Sequence, residues 1–332
     1  MQRQQMLTEW LQSLFPDKKF KISVASADAS FRRYFRATFS DDSNRIVMDA
    51  PPTHEDCRPF VHIAHLLEDA GAHVPHIYAQ NLEQGFLLLS DLGDTTYAQA
   101  IKPANAKQLY GAATDALLKI QLASKSSELP PYDEALLRRE LNLFPEWYIT
   151  KHLGVTLNEK QNAKLEEVFA RILANNLAQP CVYVHRDYHS RNLMYVPDNN
   201  PGILDFQDAV YGPITYDLAS LFKDAYIKWE EAEIMDWLIL YWEKARKAGL
   251  PVREDFGEFY RDYEWMGVQR HIKVLGIFAR LAHRDGKDSY LKDMPLVFEY
   301  LHKASARYID LKPLLNLLDE LHPNAVQEGY TF

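Results

Sequence analysis

The hydrophobic period of the chain changes near residue 93, and that change limits the possible folds more than any other feature. Upstream, apolar residues recur at strand spacing in short runs; downstream they recur at helical spacing for most of the remaining length. Residues 20–24 read as a strand. Phe31, Arg33, Phe35, Ala37 and Phe39 alternate with Arg32, Tyr34, Arg36 and Thr38, the two-residue period of a second strand. The polar cluster at 40–44 turns the chain into a third strand over 45–49. A helix from about Glu55 puts Phe60, Ile63, Ala64 and Leu67 on one face and ends at Gly71. Residues 74–78 and 86–89 read as two further strands around a turn at Gly85. Leu7, Trp10, Leu11 and Leu14 form an opening helix that Pro16 stops. Residues 1–92 thus predict a small antiparallel sheet with one helix inserted between its third and fourth strands.

Beyond residue 93 the pattern predicts helices with one interruption. Thr156-Leu157-Asn158-Glu159 reads as a capping box before the stripe Leu165, Val168, Phe169 and Ile172. Residues 181–184, 193–196 and 203–206 read as strands, the last two joined by the turn-rich stretch 197–202. A β-rich lobe over 1–92, a connector at about 87–93 and a helical lobe over 93–332 make a bilobal α+β plan. Composition removes several function classes. The chain is 47% hydrophobic and 25% charged, an ordinary globular balance, and its 13 glycines and 17 prolines are too few for a low-complexity or fibrous protein. A net charge of −9 argues against nonspecific nucleic-acid binding and against anionic membranes. No apolar run approaches the ~20 residues that span a bilayer, and Glu9 stands where a signal peptide needs its apolar core. Cys57 and Cys181 lack metal-type spacing and read as reduced thiols. The expectation is a soluble cytoplasmic monomer with no nucleic-acid or membrane partner.

The chemistry concentrates in His185-Arg186-Asp187-Tyr188-His189-Ser190-Arg191-Asn192, followed by Asp205-Phe206-Gln207. This fits H-R-D-x-x-x-x-N and then D-F-x, the catalytic and metal-binding loops of kinases. With the intervening turn centred near Asn199, facing residues sum to about 397, so Asn192 and Asp205 meet at one end of a hairpin. Two hard oxygen donors there suit a shared Mg²⁺. Asp187, in the loop just before, is placed to accept the proton of an attacking hydroxyl.

With those motifs the sequence resembles the aminoglycoside phosphotransferase/choline kinase branch of the protein-kinase-like superfamily over essentially its whole length. The stretches 28–36, 48–52, 144–147 and 184–194 are similar to the cytoplasmic anomeric kinases of N-acetylmuramate and N-acetylglucosamine, which serve peptidoglycan recycling in Gram-negative bacteria. The resemblance implies a bilobal protein-kinase-like fold, ATP and Mg²⁺ as cofactors, and a small amino sugar as substrate. It implies Asp187 as catalytic base and Asn192 and Asp205 as metal ligands. Asp217 would brace the catalytic loop beside His185, or else be an exposed first-turn aspartate favoured by the helix dipole. Residues 87–93, with Ser90, Asp91 and Leu92, match the connector whose backbone binds the adenine edge; an ordinary buried strand and turn would look the same.

Two departures from the family pattern stand out. The phosphate-loop position, residues 25–30, has no glycine, although Ser26 and Ser30 add hydroxyl donors to its backbone N–H groups. The lysine expected on the third strand is absent, and Met48 stands near its place. Arg33 or Arg36 could supply the cation, or both could be solvated strand arginines; Glu55 is a weak candidate for the helix partner. On the acceptor side, Glu140, Trp147, His189, Arg191, Arg270 and His271 are candidates for sugar contacts, with the aromatics equally readable as core and Arg191 as a phosphate contact. The alternatives are a kinase of another small alcohol, such as an aminoglycoside or choline, and a nucleotide-binding protein without catalysis. A protein kinase does not fit, because no activation-loop and A-P-E segment follows Asp205.

Overall fold

The structure is a computed structural model that describes residues 2–27 and 31–323, the side chains of Gln2, Ser26 and Ala27 excepted. Its chain falls into two compact units: Met1–Ala100 with Asn192–Asp208, and Ile101–Arg191 with Ala209–Phe332. The division differs from a simple cut at residue 92, because the stretch 192–208 belongs with the N-terminal unit.

The first unit is built on five antiparallel strands: β1 (Phe20–Ala27), β2 (Arg33–Phe39), β3 (Asn44–Asp49), β4 (Ile77–Asn81) and β5 (Phe86–Ser90), in the order β1-β2-β3-β5-β4. Strand alternation sorts their side chains onto two faces. Phe35, Ala37, Phe39, Val47, Phe86 and Leu88 form one buried face, closed by Leu7 and Leu11 of helix Gln2–Leu14. Met48, Leu87 and Leu89 are buried on the opposite face. Helix Arg58–Asp69 buries Phe60, Ile63, Ala64 and Leu67, the four residues its spacing singles out. Phe60, Ile63 and Leu67 each contribute about 1.5–3 kcal/mol on full burial, and Ala64 less. Phe31 falls outside β2 and is exposed.

β4 begins at Ile77 rather than residue 74. Pro75 has no N–H to give a ladder, and His73 instead bridges Gly202. The two strands at 193–196 and 203–206 shrink to the two-residue pair Leu193–Met194 and Gly202–Ile203. Gly202 has no room for a side chain, since a Cβ there would lie 2.9 Å from Leu92 Cδ1. Leu92, Met194, Val196 and Leu204 close a small apolar cluster at this point.

The second unit is mainly helical. Its only strands among the described residues are Cys181–Val184 and Val210–Pro213, paired antiparallel; the latter strand is not apparent from the sequence pattern. The capping box of helix Glu159–Leu177 uses Asn158 and Gln161, two residues beyond the expected start. The centre of the unit is the helix Phe256–Asp285, buried on every side from 262 to 276. Gly276 allows the closest approach to it: a Cβ there would lie 2.5 Å from the Leu143 backbone. Glu134–Leu143 and the π-helical stretch Phe144–His152 lie in sequence around that contact. A helix buried all round must satisfy every polar group it carries, and this one carries Glu264, Gln269, Arg270, His271 and Lys273.

Candidate active site

The two aspartates of the motif occur in the two units and have opposite surroundings. In the first unit the hairpin registers Leu193 with Ile203 and Met194 with Gly202, a sum of 396 rather than 397. Strict continuation would set Leu204 opposite Asn192, and Leu204 N–H does donate to the Asn192 carbonyl at 2.9 Å. Asp205 then turns in a left-handed conformation, φ 64°. That turn brings its carboxylate back to Asn192, whose amide Nδ2 lies 3.3 Å from Asp205 Oδ2. Gln207 donates to the other carboxylate oxygen at 2.8 Å. The donor set is a carboxylate and an amide side by side, both half-buried. Mg²⁺ keeps several waters and takes one or two protein oxygens plus phosphates, so these residues fit it without a larger cluster. Among the described residues no group of three or more His, Cys, Asp or Glu could hold a metal ion.

The connector candidates are in the same unit. Ser90 exchanges two hydrogen bonds with the His76 backbone, each 2.9 Å. Asp91 receives Arg36 Nε at 2.5 Å and the Gly93 N–H at 2.9 Å. Leu92 packs into the small apolar cluster. Their side chains are engaged locally, which fixes the connector backbone. Ser30 and the side chain of Ser26 lie outside the described residues. The two arginines expected to replace the lysine are committed elsewhere. Arg33 shares the parity of Phe35 and Ala37, and it pairs with buried Asp49, as does Arg3. Arg36 is held by Asp91 and, at 2.6 Å, by Asp94.

In the second unit, Asp187 follows Arg186, a left-handed residue at φ 76°. A non-glycine residue held there costs on the order of 1–3 kcal/mol and persists only where its surroundings fix it. Two groups do so. The fully buried carboxylate of Asp217, in the first turn of Tyr216–Phe222, accepts the His185 N–H at 2.7 Å and the Arg186 N–H at 3.0 Å. Burial pushes Asp217 up to about 7, against the pull of those two backbone donors. The Arg186 guanidinium reaches Glu140 at 2.6 Å, and Glu140 also meets Lys273 Nζ at 3.0 Å and the Tyr132 hydroxyl. Burial would raise Glu140, but Lys273 and Arg186 outweigh it and hold the carboxylate below its usual range.

Asp187 itself is surrounded by basic side chains. Burial alone would raise it; Lys273, then His189, Arg270 and His185, bring it down to about 2. It is therefore an anion throughout the neutral range. Arg270 is buried, and its Nε and Nη1 have no hydrogen-bond partner among the described residues; the same holds for His189 Nδ1. His189 packs edge-on against Tyr226, and the Arg191 guanidinium lies 3.4 Å from the Tyr226 ring centre. Asp224, buried beside them, takes the Ser190 N–H at 3.1 Å. His271 is also buried, but it stacks on Tyr300 and faces the Lys223 carbonyl at 3.2 Å. Trp147 is half-buried in the π-helical stretch. Lys273 and Asp224 escape the sequence reading; a lysine three residues after Arg270, in a helix whose apolar residues cover every face, is the signal that could have found the first.

Residues 21–254 match the sequence profile of the phosphotransferase enzyme family. A Pseudomonas putida protein named N-acetylmuramate/N-acetylglucosamine kinase is 50% identical over 333 residues, covering 97% of this chain and 98% of its own. A protein of the same name from Neisseria meningitidis serogroup B is 48% identical over 337 residues, covering all of both chains. The crystal structure of an ADP-bound aminoglycoside phosphotransferase superposes with a TM-score of 0.59 at 14% identity, over 89% of this chain and 96% of that one, a likeness of fold.

Proposed function

Since the chain belongs to the phosphotransferase enzyme family, we propose that it moves the γ-phosphoryl group of ATP to the anomeric C1 hydroxyl of N-acetylmuramate and N-acetylglucosamine. The reaction would belong to peptidoglycan recycling in the cytoplasm. The names of relatives near half identity support an amino-sugar acceptor. The observation that carries the reading is the state of Asp187: a carboxylate held ionised by Lys273, His189 and Arg270 in a loop already fixed by Asp217. An anomeric hydroxyl is more acidic than an ordinary alcohol, so a carboxylate of low basicity can still take its proton. Phosphoryl transfer otherwise asks mainly for alignment and charge neutralisation.

Asn192 and Asp205 would hold Mg²⁺, which neutralises phosphate charge when bound. The backbone of 90–92 would take the adenine edge. His189, Arg191 and Arg270 would contact the sugar, with Trp147 as a stacking surface, while Glu140 positions Arg186 and Lys273. A cationic acceptor such as choline or kanamycin calls for carboxylates around the base, whereas Arg270, Lys273 and His189 surround it here.

The test is ATP consumption with N-acetylmuramate, N-acetylglucosamine and their methyl glycosides, beside kanamycin and choline. The two free sugars should turn over and yield a product stable to alkali but labile to mild acid, as glycosyl phosphates are. Turnover of the methyl glycosides, or an acid-stable product, would leave a kinase but remove the anomeric assignment.

A further inference from the structure

The third strand lacks the phosphate-binding lysine, and an arginine, Arg32, stands immediately before the strand that pairs with it. Tyr34 pairs directly with Met48 in the β2–β3 register, and directly paired residues share a face. Arg32 precedes Tyr34 by two residues and lies just outside β2, where strand alternation no longer fixes a side chain's face; its ion pair with Glu55 places it instead. Arg33 has the opposite parity and pairs with Asp49 among the residues covered by helix Gln2–Leu14. Arg36 has the right parity, but Asp91 and Asp94 hold it. Of the three, Arg32 is nearest in sequence to residues 25–30, which the family resemblance assigns to the phosphate loop, and it pairs with Glu55, whereas the connector residue Asp91 holds Arg36.

Its partner is equally telling. Arg32 Nη2 lies 3.0 Å from Glu55 Oε2, both side chains largely buried. Glu55 sits in the segment between β3 and helix Arg58–Asp69. In protein kinases the third-strand lysine is held by a glutamate of the helix that follows that strand; here the pair is rebuilt as arginine and glutamate, one residue pair along the sheet. The carboxylates of Asp205 and Asp208 also act on Arg32 through space, within the same unit. A guanidinium within electrostatic range of Asp205 is where a bound polyphosphate would bring its charge.

We propose that Arg32, oriented by Glu55, is the cation that meets the α- and β-phosphates of the nucleotide in place of the missing third-strand lysine. This rests on the ATP-dependent reading above. A guanidinium can grip two phosphate oxygens at once, which an ammonium cannot.

Equilibrium titration of the full-length protein separates the possibilities, with adenosine and with ADP in excess Mg²⁺. The parent should bind ADP more tightly than adenosine; an equal affinity for both would remove the nucleotide reading itself. Arg32→Met should weaken ADP by about 10- to 100-fold, the loss of a charge-assisted contact, and leave adenosine within about twofold. Arg32→Lys should keep part of the preference. Glu55→Gln should lower ADP affinity by a smaller factor, again sparing adenosine. Should Arg32→Met fail to fold, Arg32→Lys and Glu55→Gln carry the same test. Unchanged ADP affinity in a folded Arg32→Met, or parallel loss of ADP and adenosine, would overturn the assignment and leave Arg32 a structural residue.

Discussion

Asp205 and Asp187 are the same residue type in the same motif, yet the protein sets one beside neutral amide side chains and the other among basic side chains. Asp205 stands by Asn192 and Gln207 in the hairpin of the first unit. Asp187 stands among Lys273, His189, Arg270 and His185 in the second. A carboxylate beside neutral amides keeps its full charge and gains stability by recruiting a cation. A carboxylate already compensated by fixed cations has no such need and stays ionised. Role is therefore written in the surroundings rather than in the side chain.

Breaking the base should have the largest effect. Asp187→Asn keeps the shape and removes the proton acceptor, so kcat should fall at least ~10²-fold, with ADP affinity retained in titration. Near-normal turnover would sink the contrast between the two aspartates. Asp205→Ala should behave inversely: ADP affinity in Mg²⁺ should drop to the level seen with chelator present, a dependence that Asp187→Asn keeps. Equal ADP affinity of the parent with and without Mg²⁺ would argue against the metal corner.

A milder cut sharpens the electrostatic side. Lys273→Met removes the strongest of the cations acting on Asp187, so the Asp187 pKa should rise from about 2 and an acid limb should enter the pH profile of kcat/KM. Removal of the cation favours the neutral carboxyl, so activity is lost as pH falls and is retained on the alkaline side. A profile identical to the parent's would mean the cations do not tune the base. Arg270→Met should distinguish acceptors. Its unpartnered Nε and Nη1 suit the lactyl carboxylate, so kcat/KM for N-acetylmuramate should fall about 10-fold or more while N-acetylglucosamine, which has no carboxylate, changes less. The smallest effect belongs to a residue in neither corner. Burial pushes the Cys57 thiol up, so Cys57→Ser should match the parent and thiol reagents should act slowly; inactivation tracking Cys57 modification would expose a missed role.

The parts of this molecule that could be read from sequence are those where one local rule decides. The helix stripe Phe60, Ile63, Ala64, Leu67 and the strand alternation at 35–39 are buried as their spacing requires. The hairpin register was off by one residue, and the left-handed turn at Asp205 makes up the difference. Val210–Pro213 could not be found locally, because its partner strand lies nearly thirty residues upstream and the reward for pairing is tertiary. Of the site, the motif residues were legible, whereas Lys273 and Asp224 come from distant segments that only folding brings near the catalytic loop. The replacement cation is a different lesson. Arg33 alternates in phase with Phe35, Ala37 and Phe39, which counts against it, whereas Arg32 stands outside the strand and is singled out only by its ion pair with Glu55.

Asp217 has a consequence for exchange with solvent. Its two oxygens take the amide protons of His185 and Arg186, consecutive residues of a loop that has no strand partner there. Those two protons should exchange with deuterium on the timescale of the strand Cys181–Val184 rather than of a loop, because releasing them requires opening a buried carboxylate. One side chain thus extends the protected ladder by two residues, up to the residue that carries the base. Substrate would then meet a loop whose ordering cost was met during folding, and little of its binding energy need go into arranging Asp187. Asp217→Asn, with one acceptor oxygen in place of two, should let at least one of these amides exchange at the pace of the loop.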